Sequence, residues 1–402
     1  MKRREALKYL SVTPLAGGIV ATTAKAAAPE AIAAARARGL VEELGIRSFI
    51  NAAGTYTAMT ASLMQPEVIQ AIQTSSRKFV MLDEVQDKVG EKIAAICHSE
   101  AAMVTAGCWS ALVLGTAGVL TGTDQEKIAQ LPDVSNLEKN EVILQKGHNH
   151  GYIHALTNTG IKPVVVETSA ELERAVNSKT ALMYFLNEST MHGKILHEEW
   201  LAVAKKHGIP TIIDIAADIP PVENLWKYND MGFDLVCISG GKALKGPQSA
   251  GLLLGRKDLI AAARLNAPPR GGNIGRGMKV NKEEILGMYV ALEKYVNTDH
   301  EAEWKEWEKR VATIESAVKQ VAGVSTQVTV PPIANHTPTL TITWDNRVKI
   351  TNRDLSEKLR NGNPSIEVMR NGDGVNLTVF MLEPGEAEIV ANRLHEEFSA
   401  AV

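Results

Sequence analysis

A chain of 402 residues, 45% hydrophobic and 22% charged, has material for a large domain and a smaller one; its 31 Gly and 16 Pro are ordinary usage, which excludes collagen-like, disordered and coiled-coil readings. With 43 basic residues against 46 acidic ones there is no global positive field, so no nucleic-acid partner is expected. Three cysteines, Cys97, Cys108 and Cys237, are too few for a disulfide framework or a zinc cluster; they read as buried free thiols, and no metal is expected.

Residues 1–26 read as a signal peptide, with K-R-R-E-A-L-K at 2–8, an apolar and small stretch from Tyr9 to Thr23, and A-K-A ending at Ala26. Arg3, Arg4, Leu7 and Lys8 resemble the twin-arginine export motif, with Ala6 standing where an aromatic is usual. The apolar stretch is too short to span a bilayer, so cleavage is expected rather than a stable membrane anchor, with the twin-arginine translocase as a partner and the periplasm as destination. The alternative is an amphipathic N-terminal helix.

After an N-terminal segment at 27–60, a large domain is expected over 61–281. Its apolar runs at 101–105, 141–145, 163–167, 181–186, 211–215, 235–239 and 251–255 have the length of buried strands, and helix-period segments such as 169–176 and 198–207 lie between them. Strands that are apolar throughout, alternating with helices, predict an α/β fold with a mainly parallel sheet covered on both faces. A Gly/Pro stretch at 266–277 interrupts this pattern. Beyond it a smaller α+β C-terminal domain is expected over 282–402, with helices at 282–295, 299–321 and 384–398 and strands at 339–344 and 375–382.

The chemistry concentrates where strands end. In D-L-V-C-I-S-G-G-K-A-L-K-G-P-Q (234–248) an apolar strand stops at Ser239, two glycines turn the backbone, and Lys242 follows at the carboxyl edge, where open α/β sheets place ligands. Asp214 ends another strand at the same edge. A lysine able to form a Schiff base and an aspartate able to hold a pyridine nitrogen protonated are what pyridoxal phosphate requires. The turn T-A-G-C-W at 105–109 opens an apolar helix, and the N–H groups of Gly107, Cys108 and Trp109 make a phosphate site, with Ser239 as a second candidate.

I-N-A-A-G-T-Y (50–56), the T-A-G-C turn, K-G-H-N-H (146–150), I-D-I-A-A-D-I-P-P (213–221) and S-G-G-K-A-L-K-G-P-Q (239–248) closely resemble the selenium-transferase-like branch of fold-type I pyridoxal-phosphate enzymes. This is the family of L-seryl-tRNA(Sec) selenium transferase and D-glucosaminate-6-phosphate ammonia-lyase, and the resemblance covers roughly residues 40–400. It implies Lys242 as the Schiff-base lysine, Asp214 as the pyridinium partner, and a homodimer with sites at its interface. The ammonia-lyase is the nearer resemblance, because the transferase carries an N-terminal tRNA-binding domain with no counterpart here.

Around this pair stand weaker candidates. Lys245 is the rival to Lys242, and Asp218 reads as a structural neighbour of Asp214. His148 or His150 is a candidate to stack on the ring or assist proton transfer, or else an ordinary loop histidine, and Asn187 a candidate to bond the phenolic oxygen, or else a strand-end turn residue. Arg270 and Arg276, in the glycine-rich segment, are candidates to clamp a substrate carboxylate or a neighbouring subunit's phosphate, and Arg370, in the small domain, is a candidate for a substrate carboxylate. Asn51 and Tyr56 are candidate substrate contacts or plain turn residues. The leading functional expectation is an exported ammonia-lyase performing α,β-elimination on an unphosphorylated amino acid or amino-sugar acid. A racemase is the runner-up, a selenium-transferase-like transferase follows, and a non-enzymatic binding protein stands last because it would have no use for Lys242.

Overall fold

The apolar runs between residues 101 and 255 form one seven-stranded sheet in the computed structural model, which describes residues 39–402. The expected signal peptide and residues 27–38 lie outside the described residues. The described residues 39–48 belong to a first unit and hold a short exposed helix, Leu40–Glu43. All that follows concerns the second unit, 49–402.

Seven strands, β2 (Ala101–Thr105), β3 (Glu141–Gln145), β4 (Lys162–Val166), β5 (Thr180–Leu186), β6 (Thr211–Asp214), β7 (Leu235–Ser239) and β8 (Gly251–Gly255), lie in the order β2-β8-β7-β6-β5-β3-β4. Only β8 runs against its neighbours, pairing antiparallel with both β2 and β7. Alternation along each strand divides the core into two layers. Met183, Phe185, Ile213, Val236 and Leu252 face one, and Leu182, Tyr184, Ile212, Leu235 and Leu253 the other. Continuous apolar strands are therefore what a sheet covered on both faces requires. The helix Gly107–Thr121 is apolar around its whole circumference because it lies inside the second layer, against β7, β8 and the helix Lys257–Leu265. All three cysteines are buried free thiols, and burial pushes Cys97 up to about 12.

The C-terminal part carries a four-stranded antiparallel sheet, β12-β13-β10-β9, built from β9 (Val324–Thr329), β10 (Thr339–Trp344), β12 (Met369–Asn371) and β13 (Gly374–Thr378). The helices His300–Val318 and Glu386–Ser399 pack together beside it. Two parts of the chain cross the expected boundaries. The end of the N-terminal segment, β1 (Ile50–Asn51), pairs in parallel with β11 (Ile366–Glu367), so it joins the C-terminal part. The helix Lys282–Val296, expected to open the small domain, packs on the helices Pro66–Ser75 and Leu82–Ile96, so the change in packing partners follows this helix. Its Asn281–Glu284 capping box sets its start, as the sequence pattern requires. Among the described residues no helix is long and apolar enough to cross a membrane.

Candidate active site

The carboxyl ends of β5, β6 and β7 and the amino end of the helix Gly107–Thr121 enclose a cavity of about 260 Å³. Gly107, Cys108, Trp109, Asp214, Ser239 and Lys242 all line it, so one pocket gathers the phosphate turn, the aspartate and the lysine.

Each arrives there for a local reason. Gly107 has φ +81°, a left-handed conformation that lets the chain turn sharply from β2 into its helix. The first N–H groups of that helix have no intrahelical acceptor and face the cavity with the positive end of the dipole. The lysine loop joins two antiparallel strands and folds back on itself, with Gly240 N–H donating to Ala250 O (2.9 Å), Gly246 N–H to Gly240 O (2.9 Å) and Lys245 N–H to Lys242 O (2.9 Å). A Cβ on Gly240 would collide with Met288 Sδ, and one on Gly241 with the backbone of Gln248, so the two glycines before Lys242 are needed for close approach. Lys245, the rival lysine, does not line the cavity. From the N-terminal side, Ser62 Oγ donates to Gly241 O (2.7 Å) and Gln248 Nε2 to Thr57 O (3.1 Å), closing that edge.

Asp214 is 3% exposed. Its Oδ1 accepts from Ala216 N–H (2.9 Å) and from the Cys108 thiol (3.5 Å), so Oδ2 is the oxygen left for the cavity. Burial pushes its carboxyl up, and the Ala216 N–H and the charge of Lys242 pull against that shift. A protonated ring nitrogen beside Asp214 would supply the counter-charge that burial denies it. Cys108 itself is held as a neutral thiol, since burial and the neighbouring Asp214 both raise its pKa.

Other expected residues are placed elsewhere. His148 is fully buried and does not line the cavity. Its Nδ1 accepts from Leu186 N–H (3.2 Å) and its ring meets Phe185 edge-on at 4.5 Å, because the short helical turn Lys146–His148 drives the side chain under the end of β5. Burial lowers its pKa to about 4, so it is a neutral core group, not a proton carrier in the cavity. His150 bonds Ser189 Oγ (3.1 Å). Asn187 is buried one step behind the cavity wall, in contact with Asp218. Arg270 is spent on Asp83 (3.2 Å) and Arg276 lines a separate surface pocket with Val80 and Lys279. Arg370 is exposed on β12, whose residues pair with β13. The Asn51 side chain organises its own turn, accepting from Ala53 and Gly54 N–H and donating to Gly54 O (2.9 Å). Tyr56 is half exposed and off the cavity, while its neighbour Thr57 lines it.

The cavity also holds Asp218, read from sequence as structural, together with Tyr152, Glu188 and Gln248, which sequence reasoning missed. Tyr152, Glu188 and Gln248 lie within two residues of a residue or motif singled out above. The motifs therefore located the correct loops, and the direction of each side chain was the missing information.

A strand-end lysine, a buried strand-end aspartate and a helix amino terminus around one cavity define a fold-type I pyridoxal-phosphate enzyme, and pyridoxal phosphate is its cofactor. The Aminotransferase class-V family profile matches residues 154–294. The chain is 28% identical to D-glucosaminate-6-phosphate ammonia lyase of Salmonella typhimurium (strain 14028s / SGSC 2262), over 89% of this chain and 97% of that protein. It is also 28% identical to 5'-C-glycyluridine monooxygenase-decarboxylase of Streptomyces sp, over 88% of this chain and 91% of that one. A solved structure of D-glucosaminate-6-phosphate ammonia-lyase superposes with a TM-score of 0.79 at 25% identity, covering 91% of this chain and 99% of that one. The chain is also similar to L-seryl-tRNA(Sec) selenium transferase of Aquifex aeolicus (strain VF5), at 25% identity over 49% of this chain and 49% of that one.

Proposed function

We propose that this enzyme is a lyase that removes the α-proton and the β-hydroxyl of an unphosphorylated amino acid or amino-sugar acid, releasing ammonia and a 2-oxo acid. One water leaves in the elimination and one is consumed when the enamine product hydrolyses, so the net change is loss of ammonia. The cofactor, when bound, supplies the electron sink that makes the α-proton acidic. Lys242, freed as the substrate amine takes its place, is the base within the cavity. Asp214 holds positive charge at the ring nitrogen.

The observation that carries the reading is the convergence of Lys242 and Asp214 on one cavity. Its remaining charge bears on the substrate. Among the described lining residues Lys242 is the cation, set against the acidic side chains of Asp214, Asp218 and Glu188, and neither Arg270 nor Arg276 faces the cavity. Beyond the helix amino terminus that takes the cofactor's phosphate, the described lining residues offer a second phosphate no cation of its own, whereas hydroxyl groups would find acceptors. The relative named for a phosphorylated sugar acid thus supports the lyase chemistry without carrying over its phosphate.

Export rests on the Arg3-Arg4 pattern. A cofactor made in the cytoplasm and charged at its phosphate crosses membranes poorly, and a route for folded proteins would let it load before export to the periplasm. A homodimer is supported by apolar surface left uncovered in one stretch of chain, where Leu63, Phe79 and Met81 are 65%, 106% and 73% exposed.

The deciding experiment is a screen of D- and L-amino acids and amino-sugar acids, with and without phosphate, that follows 2-oxo acid formation and loss of enantiomeric excess in parallel. The proposal expects a 2-oxo acid from an unphosphorylated substrate and none with Lys242→Ala. Racemisation without 2-oxo acid, or turnover of phosphorylated substrates alone, contradicts it. Replacing Arg3 and Arg4 by lysines should leave active precursor in the cytoplasm; export at the wild-type level contradicts the route.

A further inference from the structure

Asn187, the residue the sequence offers to the cofactor's ring oxygen, has no hydrogen-bonding capacity to spare. Its Nδ2 donates to Asp218 Oδ1 (2.6 Å) and to Tyr228 OH (2.8 Å), and its Oδ1 accepts from His197 Nε2 (2.7 Å) and Thr190 Oγ1 (3.3 Å). What this amide holds in place is Asp218. That residue lines the cavity at 2% exposure, its main-chain carbonyl is pinned by Asn224 Nδ2 (2.6 Å), and its carboxyl Oδ2 is buried with no partner. A buried polar atom left unpaired costs about 1–3 kcal/mol, and in a ligand cavity the bound group is what completes it.

The sheet identifies the group. In the order β2-β8-β7-β6-β5, the two phosphate candidates follow β2 and end β7, on one side of Asp214 at the end of β6. Asp218 is tied through Asn187 to the end of β5, on the other side. In pyridoxal phosphate the carbon that joins the lysine is flanked on one side by the phosphate arm and on the other by the ring oxygen. A ring with its nitrogen at Asp214 and its arm toward β2 and β7 presents that oxygen toward β5. We infer that Asp218, in place of Asn187, meets the ring oxygen, and that it does so as a neutral acid donating from Oδ2. This rests on the cofactor site described above.

The charges agree with a neutral acid. The ring oxygen is anionic once the cofactor is joined to Lys242, so an ionised Asp218 would repel it. Burial pushes the Asp218 carboxyl up to about 7; Asp214 and Glu188 act in the same direction, and Asn187 and Lys242 act against it. The other titratable groups around it, the Tyr228 phenol and the His197 imidazole, reach it through Asn187 and are both held neutral by burial.

The test follows the pH midpoint of the visible band of the cofactor-loaded full chain, which needs no turnover. A donor at the ring oxygen favours loss of the proton from the nitrogen that Lys242 contributes, because the oxygen then has another partner. Asp218→Ala should raise the midpoint by about one pH unit, a tenfold change in proton affinity. Asp218→Asn, whose amide donates at every pH, should stay within about 0.3 unit of wild type. Infrared difference spectra at neutral pH should show a carboxylic-acid C=O band in loaded wild type that Asp218→Asn lacks, an answer available even if the alanine variant fails to fold. An unmoved midpoint in Asp218→Ala, an equal rise in both variants, or no acid band overturns the Asp218 assignment alone. A wild-type protein with no visible band overturns the lysine assignment with it.

Discussion

Asp214→Asn separates the charge of the buried carboxylate from its shape. The amide can keep the Oδ1 contact with Ala216 N–H at 2.9 Å, so the turn after β6 is preserved. What is lost is a charged hydrogen bond to a protonated ring nitrogen in a site with almost no access to water. Hydrogen bonds to charged groups are worth about 1.5–3 kcal/mol, and donors aimed at charge that develops in a transition state about 2.7–4 kcal/mol. At 1.36 kcal/mol per decade, a loss near 3 kcal/mol lowers kcat roughly 100- to 1,000-fold, with KM little changed. The sign reverses for the cofactor-free protein, where the 3% exposed carboxylate has no cation within ion-pair distance among the described residues. An amide there avoids the cost of burying charge, so the variant should be as stable as wild type or more so, by about 0–2 kcal/mol. Because the folded carboxyl titrates above its unfolded value, wild-type stability from this group is complete at low pH and is lost as pH rises through the folded pKa; the variant removes that dependence. The assays are 2-oxo acid formation for kcat and urea unfolding of the cofactor-free protein. Near wild-type kcat would refute the pyridinium role. A cofactor-free variant less stable by more than about 2 kcal/mol would show that Asp214 serves the fold instead.

Asn187→Ala would leave Asp218, Tyr228, His197 and Thr190 short of partners inside the core, so urea unfolding should report a loss of about 3–5 kcal/mol; a loss under about 1 kcal/mol contradicts the network. His148 titrates below its unfolded value because it is buried, down to about 4, so its contribution is complete above pH ~6.5 and is lost as pH falls toward about 4. That window is worth roughly 3 kcal/mol, and His148→Leu should flatten it while lowering stability at neutral pH; equal slopes in the two proteins contradict the burial argument.

The sheet was legible because its strands carry their burial in their composition. The runs at 101–105, 141–145, 235–239 and 251–255 match the observed strands residue for residue, since an apolar run bounded by turn residues has few other places to go. β9 was not legible, because V-S-T-Q-V-T sits mostly exposed at the edge of the small sheet and has no apolar run to mark it. At the site, Lys242, Asp214 and the turn at Gly107 were readable from where strands end. His148 and Asn187 were read as cavity residues because their motifs lie at the right edge, but a strand end fixes where a backbone stops and not which way the next side chain turns. The short helical turns Lys146–His148 and Asn187–His192 rotate both side chains inward, leaving Tyr152 and Glu188 to face the cavity. Arg270 was misplaced for another reason: its partner Asp83 lies 187 residues away in sequence, and no local pattern reports such a pairing.

Borohydride reduction of the cofactor-loaded protein, followed by peptide mass mapping, tests the central claim most directly. Reduction fixes pyridoxal phosphate to whichever amine holds it. The modification should fall on Lys242, inside the loop that joins β7 and β8, and Lys242→Ala should take up no covalent cofactor. Modification of Lys245 in the wild-type protein, or of no lysine at all, would contradict the assignment on which the active site is built.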